Sequence, residues 1–221
     1  MTILLNPAEV RILACLVEKE STTPEYYPLT LNALTNACNQ KSNREPVVSF
    51  EEKTVVRGIE SLREKNLALM VTGAGSRVPK YKHTFARRFQ LSEPEVAVLC
   101  VLMLRGPQTV GELRGRSARL HAFADLSAVE STLTGLMSRG EGAYVLKLPR
   151  QPGRKEARFA HLFCGEPELA EPEVLVNSEP ATLEVRAENE RVTRLEEELT
   201  CVRTELEELK ESFTQFRKQF E

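Results

Sequence analysis

A mainly α chain with small β-hairpins, an α+β fold built from two copies of one unit and finished by a C-terminal coiled-coil helix, is predicted by three observations. Leu5-Asn6-Pro7-Ala8-Glu9-Val10 and Leu91-Ser92-Glu93-Pro94-Glu95-Val96 open two stretches whose apolar residues recur in the same order. Each stretch ends in alternating residues around a turn-forming loop. The last forty or so residues carry a three-four apolar repeat.

The first helix of each copy follows from Val10, Ile12, Leu13, Leu16 and Val17 and from Val96, Val98, Leu99, Leu102 and Met103, a stripe at helical spacing. A short second helix is expected at Thr30-Leu31-Asn32-Ala33-Leu34 and Thr109-Val110-Gly111-Glu112-Leu113, each with Thr at the N-cap. The third helix runs through Val55, Ile59 and Leu62 in one copy and Val129, Leu133 and Leu136 in the other. Ser49 with Glu52, and Ser127 with Glu130, supply capping-box signals near the two starts. Lys65-Asn66 and Arg139-Gly140 place a cation and a turn former at the two ends. Hairpins close the units: 67–72 and 77–83 around Gly73-Ala74-Gly75-Ser76, then 143–148 and 157–161 around a longer loop with Pro149, Pro152 and Gly153.

Three helices and a hairpin, in that order, make a winged helix-turn-helix, whose third helix usually enters the major groove while the hairpin touches the DNA backbone. The expected organisation is therefore two tandem winged-helix domains, 1–88 and 89–164, an acidic Pro-containing linker at 165–182 and a coiled coil at 183–221. Charge follows the same division. Lys and Arg outnumber Asp and Glu by 13 to 9 in residues 1–89 and by 10 to 7 in residues 90–164, whereas residues 165–221 carry 7 against 16. Both domains are mildly basic, and the overall acidity belongs to the tail.

In the tail, Pro167, Pro172 and Pro180 among many Glu mark an extended linker. With Val185 at position a, the seam continues through Glu188, Val192, Leu195, Leu199, Val202, Leu206, Leu209, Phe213, Phe216 and Phe220. Glu198 and Glu205 fall at g and Arg203 and Lys210 at the following e positions, which favours a parallel homodimer through Val192 to Phe216. A helix folded back on the domains is the alternative.

Chemistry is sparse. Cys15, Cys38 and Cys100 lie on helical faces, and the five cysteines show no C-x-x-C spacing, so buried reduced thiols are expected and neither metal nor cofactor is. His83 and His161 are equivalent in the repeat, which suits a structural role at each hairpin base. Gly73 to Ser76 lacks the Lys of a phosphate loop. No nucleophile or acid-base constellation is visible, so the protein is expected not to be an enzyme. The N-terminus has neither a basic leader nor a long apolar run, and no stretch reaches membrane-spanning length, so a cytoplasmic location without membrane attachment is expected.

The runs Thr22-Thr23-Pro24-Glu25-Tyr26-Tyr27-Pro28-Leu29, Ala37-Cys38-Asn39-Gln40-Lys41-Ser42-Asn43-Arg44-Glu45-Pro46-Val47, Leu104-Arg105-Gly106-Pro107-Gln108-Thr109, Gly111-Glu112-Leu113-Arg114-Gly115-Arg116, Pro152-Gly153-Arg154-Lys155-Glu156-Ala157-Arg158-Phe159 and His161-Leu162-Phe163-Cys164-Gly165 closely resemble the YceH-like family of bacterial cytoplasmic proteins. The resemblance covers nearly the whole chain and implies tandem winged helices with a C-terminal coil. It implies no particular activity.

The function expected first is a dimeric, regulatory DNA-binding protein. Its candidate contacts are Lys53 and Arg57 on the first third helix, Arg77, Lys80 and Lys82 on the first wing, and Arg150, Arg154, Lys155 and Arg158 on the second. In the amide-rich loop, Asn39, Gln40, Asn43 and Arg44 are types that read base edges and Lys41 suits phosphate. The same residues also suit turn chemistry, with Arg44 and Glu45 pinning the loop. Glu51 and Glu52 oppose a DNA role, and a scaffold whose winged helices bind other proteins, as in chromosome-segregation complexes, is the alternative.

Overall fold

Asn6 and Ser92 each open a helix by the same device. Their side chains and the side chains of Glu9 and Glu95 form reciprocal capping boxes at the starts of α1 (Pro7–Thr22) and α5 (Glu93–Arg105). A computed structural model describes residues 3–72, 78–140, 142–150 and 156–166 of this chain. The fold is mixed α+β, mostly helical, with small antiparallel strand pairs.

In the first copy, α1 leads through a single 3-10 turn (Pro24–Tyr26) to β1 (Leu29–Thr30), α2 (Leu31–Cys38), α3 (Glu52–Glu64), β2 (Ala68–Val71) and β3 (Lys80–His83). After α4 (Phe85–Phe89), the second copy runs α5, α6 (Val110–Ser117), α7 (Leu126–Met137), β4 (Val145–Lys147) and β5 (Phe159–His161). Thr30 and Thr109 cap α2 and α6 as expected, each accepting from the backbone N–H three residues on. The expected caps of the third helices are not used. Glu51 precedes α3 without a side-chain cap bond, and Asp125, one residue ahead of α7, accepts from the Ala128 N–H. The Ser49 signal loses because Asn39 bonds both the N–H and the C=O of Phe50, at 2.7 and 2.9 Å, and so holds the approach to α3 away from the helix. Ser127 loses because Asp125, a strong N-cap type, starts the helix before it.

The hairpins lie inside the expected spans, and β1 adds a strand that two residues could not announce. It pairs with β3 through Leu29↔Tyr81 and Thr30↔Lys80 to give the antiparallel order β1-β3-β2. The second copy keeps only a trace of it, a bridge between Gln108, just ahead of the α6 cap, and Phe159.

α1 is buried without a break from Glu9 to Val17, and α5 from Ala97 to Leu104. A stripe would bury one face; burial all round follows because α1 packs on α2 and α3 and also on α5, while α5 packs on α6 and α7. The two copies consequently share one continuous core. Aromatic rings of Phe85 and Phe89 from α4 meet Tyr144 and Phe163 of the second copy, with centroids 5.4 to 5.7 Å apart, which welds the joint. The coiled-coil expectation, with Val192, Leu195, Leu199, Val202, Leu206, Leu209, Phe213 and Phe216 on its seam, lies outside the described residues, as does the linker beyond Glu166.

Candidate nucleic-acid interface

On α3, Val55, Gly58, Ile59 and Leu62 face the core, which leaves Arg57 exposed on the opposite side. Lys53, one turn earlier, is also exposed, with its ammonium 2.6 Å from the Glu51 carboxylate. Lys80 and Lys82 alternate along β3 with Tyr81 and His83, so both lie on one face of the sheet, half-buried. Arg77 lies outside the described residues. The first copy thus presents Lys53, Arg57 and Arg63 on its third helix and two strand lysines.

The second copy is different. α7 contains no Lys or Arg, and its exposed face offers Glu130, Ser131 and Thr134. Arg150 is exposed beyond β4, whereas Arg154 and Lys155 lie outside the described residues. Arg158 is turned inward: its NH1 donates to the Pro107 carbonyl at 2.6 Å and sits 3.1 Å from a Glu112 oxygen. The attraction is Glu112 itself, the capping-box acid of α6. Burial would raise its pKa, but the Thr109 N–H, Arg158 and Arg116 outweigh that and hold it below the usual carboxylate range. Arg158, expected among the phosphate contacts, ties the start of β5 to α6 with about a quarter of its side chain still exposed.

Arg44 is a correction. Its side chain is 0 % exposed and forms a two-point pair with Glu18, at 3.0 and 2.6 Å, while also donating to the Ala37 and Asn43 carbonyls and to Gln40. A phosphate or base edge would have to displace all of these. These contacts fit the alternative of turn chemistry with the loop pinned, and Arg44 does so through Glu18 of α1. Buried Arg11 adds bonds to the Cys38 and Pro46 carbonyls, and the Glu45 N–H reaches Leu104 of α5. Of the amide-rich loop, Asn39, Gln40 and Asn43 are engaged within the protein, and Lys41 alone of the cations projects outward.

Comparison with other proteins sets this scaffold in a family. A family model described as "Protein of unknown function, DUF480" matches residues 5–154. A UPF0502 protein of Geotalea uraniireducens is 58 % identical over 217 residues, 98 % of each chain. Those of Geobacter sulfurreducens and Geobacter metallireducens are 54 % and 57 % identical over the full length of both chains. The chain belongs to the DUF480 family.

The remaining reactive groups of this DUF480 protein are built into its scaffold. Cys15, Cys38 and Cys100 are buried, as expected from their helical positions, and Cys164 is exposed. His83 Nδ1 accepts from the Phe85 N–H at 3.2 Å, and its Nε2 lies 2.8 Å from the Glu20 carboxylate. Burial depresses the His83 pKa despite that carboxylate, and burial alone takes His161 down to about 4. Both rings are therefore neutral near pH 7, at the ends of β3 and β5. Among the described residues, no group of three or more His, Cys, Asp or Glu is arranged to hold a metal, and no helix is long and apolar enough to cross a membrane.

What single-residue inspection missed is a convergence of cations from both copies. Lys19, Arg105, Arg116 and Arg119 join Lys41 around one cleft of about 680 Å³. They are spread over a hundred residues of sequence, so no local run announces them.

Proposed function

We propose that this DUF480 protein is a non-enzymatic, dimeric DNA-binding protein of the cytoplasm, a tandem winged helix of the YceH-like type whose C-terminal coil pairs two chains. The observation that carries the reading is the order of three helices and an antiparallel strand pair, found twice, with Arg57 exposed on the first third helix. The first copy supplies the base-reading helix in this scheme, because α3 bears Lys53, Arg57 and Arg63 and α7 bears no cation. Lys80, Lys82 and the second hairpin's Arg150, Arg154 and Lys155 add phosphate neutralisation.

Fluorescence anisotropy with random duplex DNA near 50 mM salt tests this. Binding should fall steeply with salt, and Lys80→Ala should lower the slope by about one unit, whereas Arg57→Ala should also change sequence preference. Light scattering should give a dimer that becomes a monomer when residues 183–221 are removed. Absence of DNA binding at low salt sinks the reading. One observation favours the scaffold alternative: Leu69, Met70 and Val78 are large apolar residues exposed on the first hairpin, with Leu69 and Met70 on opposite faces of β2, side chains suited to a protein partner.

A further inference from the structure

We infer that the cleft between the two copies is a binding site for a small nucleoside polyphosphate, separate from any DNA-reading surface. Its walls come from both halves of the molecule: the end of α1 and the loop after α2 on one side, α5 and α6 on the other. Lys19 and Lys41 stand on the first wall, Arg105, Arg116 and Arg119 on the second. The acid between them, Glu18, is already taken by Arg44. Lys19 lies 3.8 Å from that same carboxylate and Arg116 3.5 Å from Glu112, so Lys41, Arg105 and Arg119 are the cleft cations without a carboxylate partner among the described residues.

Such a convergence is unfavourable without an anion. Arg105 shows the strain in its ionisation, which burial pushes down first and the charges of Arg116 and Arg44 push down further. Lys19 is only 19 % exposed and Arg116 34 %, so these charges are partly withdrawn from water and act over short distances with less screening. A duplex offers its phosphates along a convex surface too broad to enter this recess. A discrete polyanion fits it, and the volume lies in the range of small-molecule sites, roughly 300 to 1,000 Å³.

The cleft is not only charged. Half-buried Leu120 and the small exposed edges of Val101 and Leu104, each 4 % exposed, line it as well, an apolar strip that inorganic phosphate would leave uncovered and a base can cover. Ser42 supplies a hydroxyl beside it, and Gln40 and Asn43, whose amide oxygens accept from Arg44 and Arg105, supply their amide NH2 groups. Phosphates on the arginines and a base on the aliphatic strip use both kinds of surface. Because its walls belong to different copies, an occupant would also strengthen the joint between them.

Isothermal titration of the full-length protein with ATP, in EDTA to exclude metal, tests the site. We expect one ATP per chain at micromolar affinity. Arg119→Glu and Arg105→Ala should each weaken it about tenfold or more, and inorganic tripolyphosphate should bind about tenfold more weakly than ATP. Arg119 is exposed and makes no ion pair among the described residues, so its reversal tests the site without loss of a structural contact. Arg57→Ala, on α3, should leave ATP affinity unchanged. No heat at 1 mM ATP overturns the proposal, as does undiminished binding in both cleft variants. Tripolyphosphate binding as tightly as ATP removes the nucleoside from it, and a single-stranded oligonucleotide outcompeting ATP reassigns the cleft to nucleic acid. None of these outcomes alters the duplex-DNA measurement, so the two readings fail separately.

Discussion

The two copies solve the same packing problem with unequal means. In each, the capping-box acid of the first helix is met by the cation that ends the third: Lys65 reaches Glu9 at 2.7 Å, and Arg139 reaches Glu95 at 2.9 Å. In the first copy the acid is deeper, with Glu9 1 % exposed and also accepting from Ser61. The first copy further has a third strand and a loop locked by Arg44, where the second has the Gln108 bridge and the shallower Arg158–Glu112 pair. The difference teaches that a repeated sequence pattern sets the order of elements, while a few polar residues decide how firmly each copy is held.

The largest expected effect breaks the strongest of those polar locks. Arg44→Met should destabilise the protein by about 3 kcal/mol, because it strands Glu18 and leaves the Ala37 and Asn43 carbonyls without a donor. Arg158→Met removes a pair whose members are each about a quarter exposed and should cost about 1 kcal/mol or less. Urea unfolding of both variants measures the difference, and equal losses would mean that the two copies are held alike. Glu18→Met combined with Arg44→Met should recover part of the loss, since no charge is then left buried alone.

An intermediate effect separates the two capping acids. Glu9→Gln should cost roughly 2 kcal/mol and Glu95→Gln about half that, following the depth of each carboxylate. In each case burial alone would raise the pKa, and the hydrogen bonds and the cation outweigh it. A carboxylate with a lowered folded pKa contributes stability that is complete above its unfolded value, about 4.3, and is lost as pH falls through the folded value. Both Gln variants should therefore flatten the stability profile below about pH 4.3, Glu9→Gln more so. His161 acts in a different window: it is also depressed, to about 4, so its contribution is lost between about 6.5 and 4 and should survive in both variants. Thermal melts across pH 2.5 to 7 would expose a reversed order.

Much of this was legible in the sequence, for physical reasons that also explain the rest. Thr30 and Thr109 were readable as caps because capping is local, spanning three residues. Ser49 and Ser127 carried the same signal and failed, since Asn39 reaches eleven residues ahead to fix Phe50 and Asp125 competes from two residues away. β1 was hidden because two residues carry no period. Among the candidate site residues, Arg57 was readable because its neighbours Val55 and Ile59 define the buried face of one helix. Arg44 was not, because its partner Glu18 is 26 residues earlier, and a buried ion pair has no local signature.

The smallest expected effect concerns the contact between first and third helices. At Gly58 a side chain would run into Cδ1 of Ile12, so α3 approaches α1 closely where no Cβ intervenes. In the repeat alignment, the second copy has Thr132 at the place of Gly58 and Val98 at the place of Ile12. The bulk has changed sides: a large residue faces glycine in one copy, a smaller one stands with threonine in the other. Gly58→Thr should therefore overpack the first copy and cost about 1 to 2 kcal/mol, reduced by the gain of replacing a mid-helix glycine. Ile12→Val alone should cost about 1 kcal/mol through the lost methylene. Together they recreate the second copy's pair inside the first, and the double variant should be more stable than the sum of the two losses predicts, by about 1 kcal/mol. Denaturant unfolding of the four proteins in that cycle reads the coupling directly. Strict additivity would show that Ile12 yields freely, and that the close approach of α1 and α3 is set by the rest of the helix face.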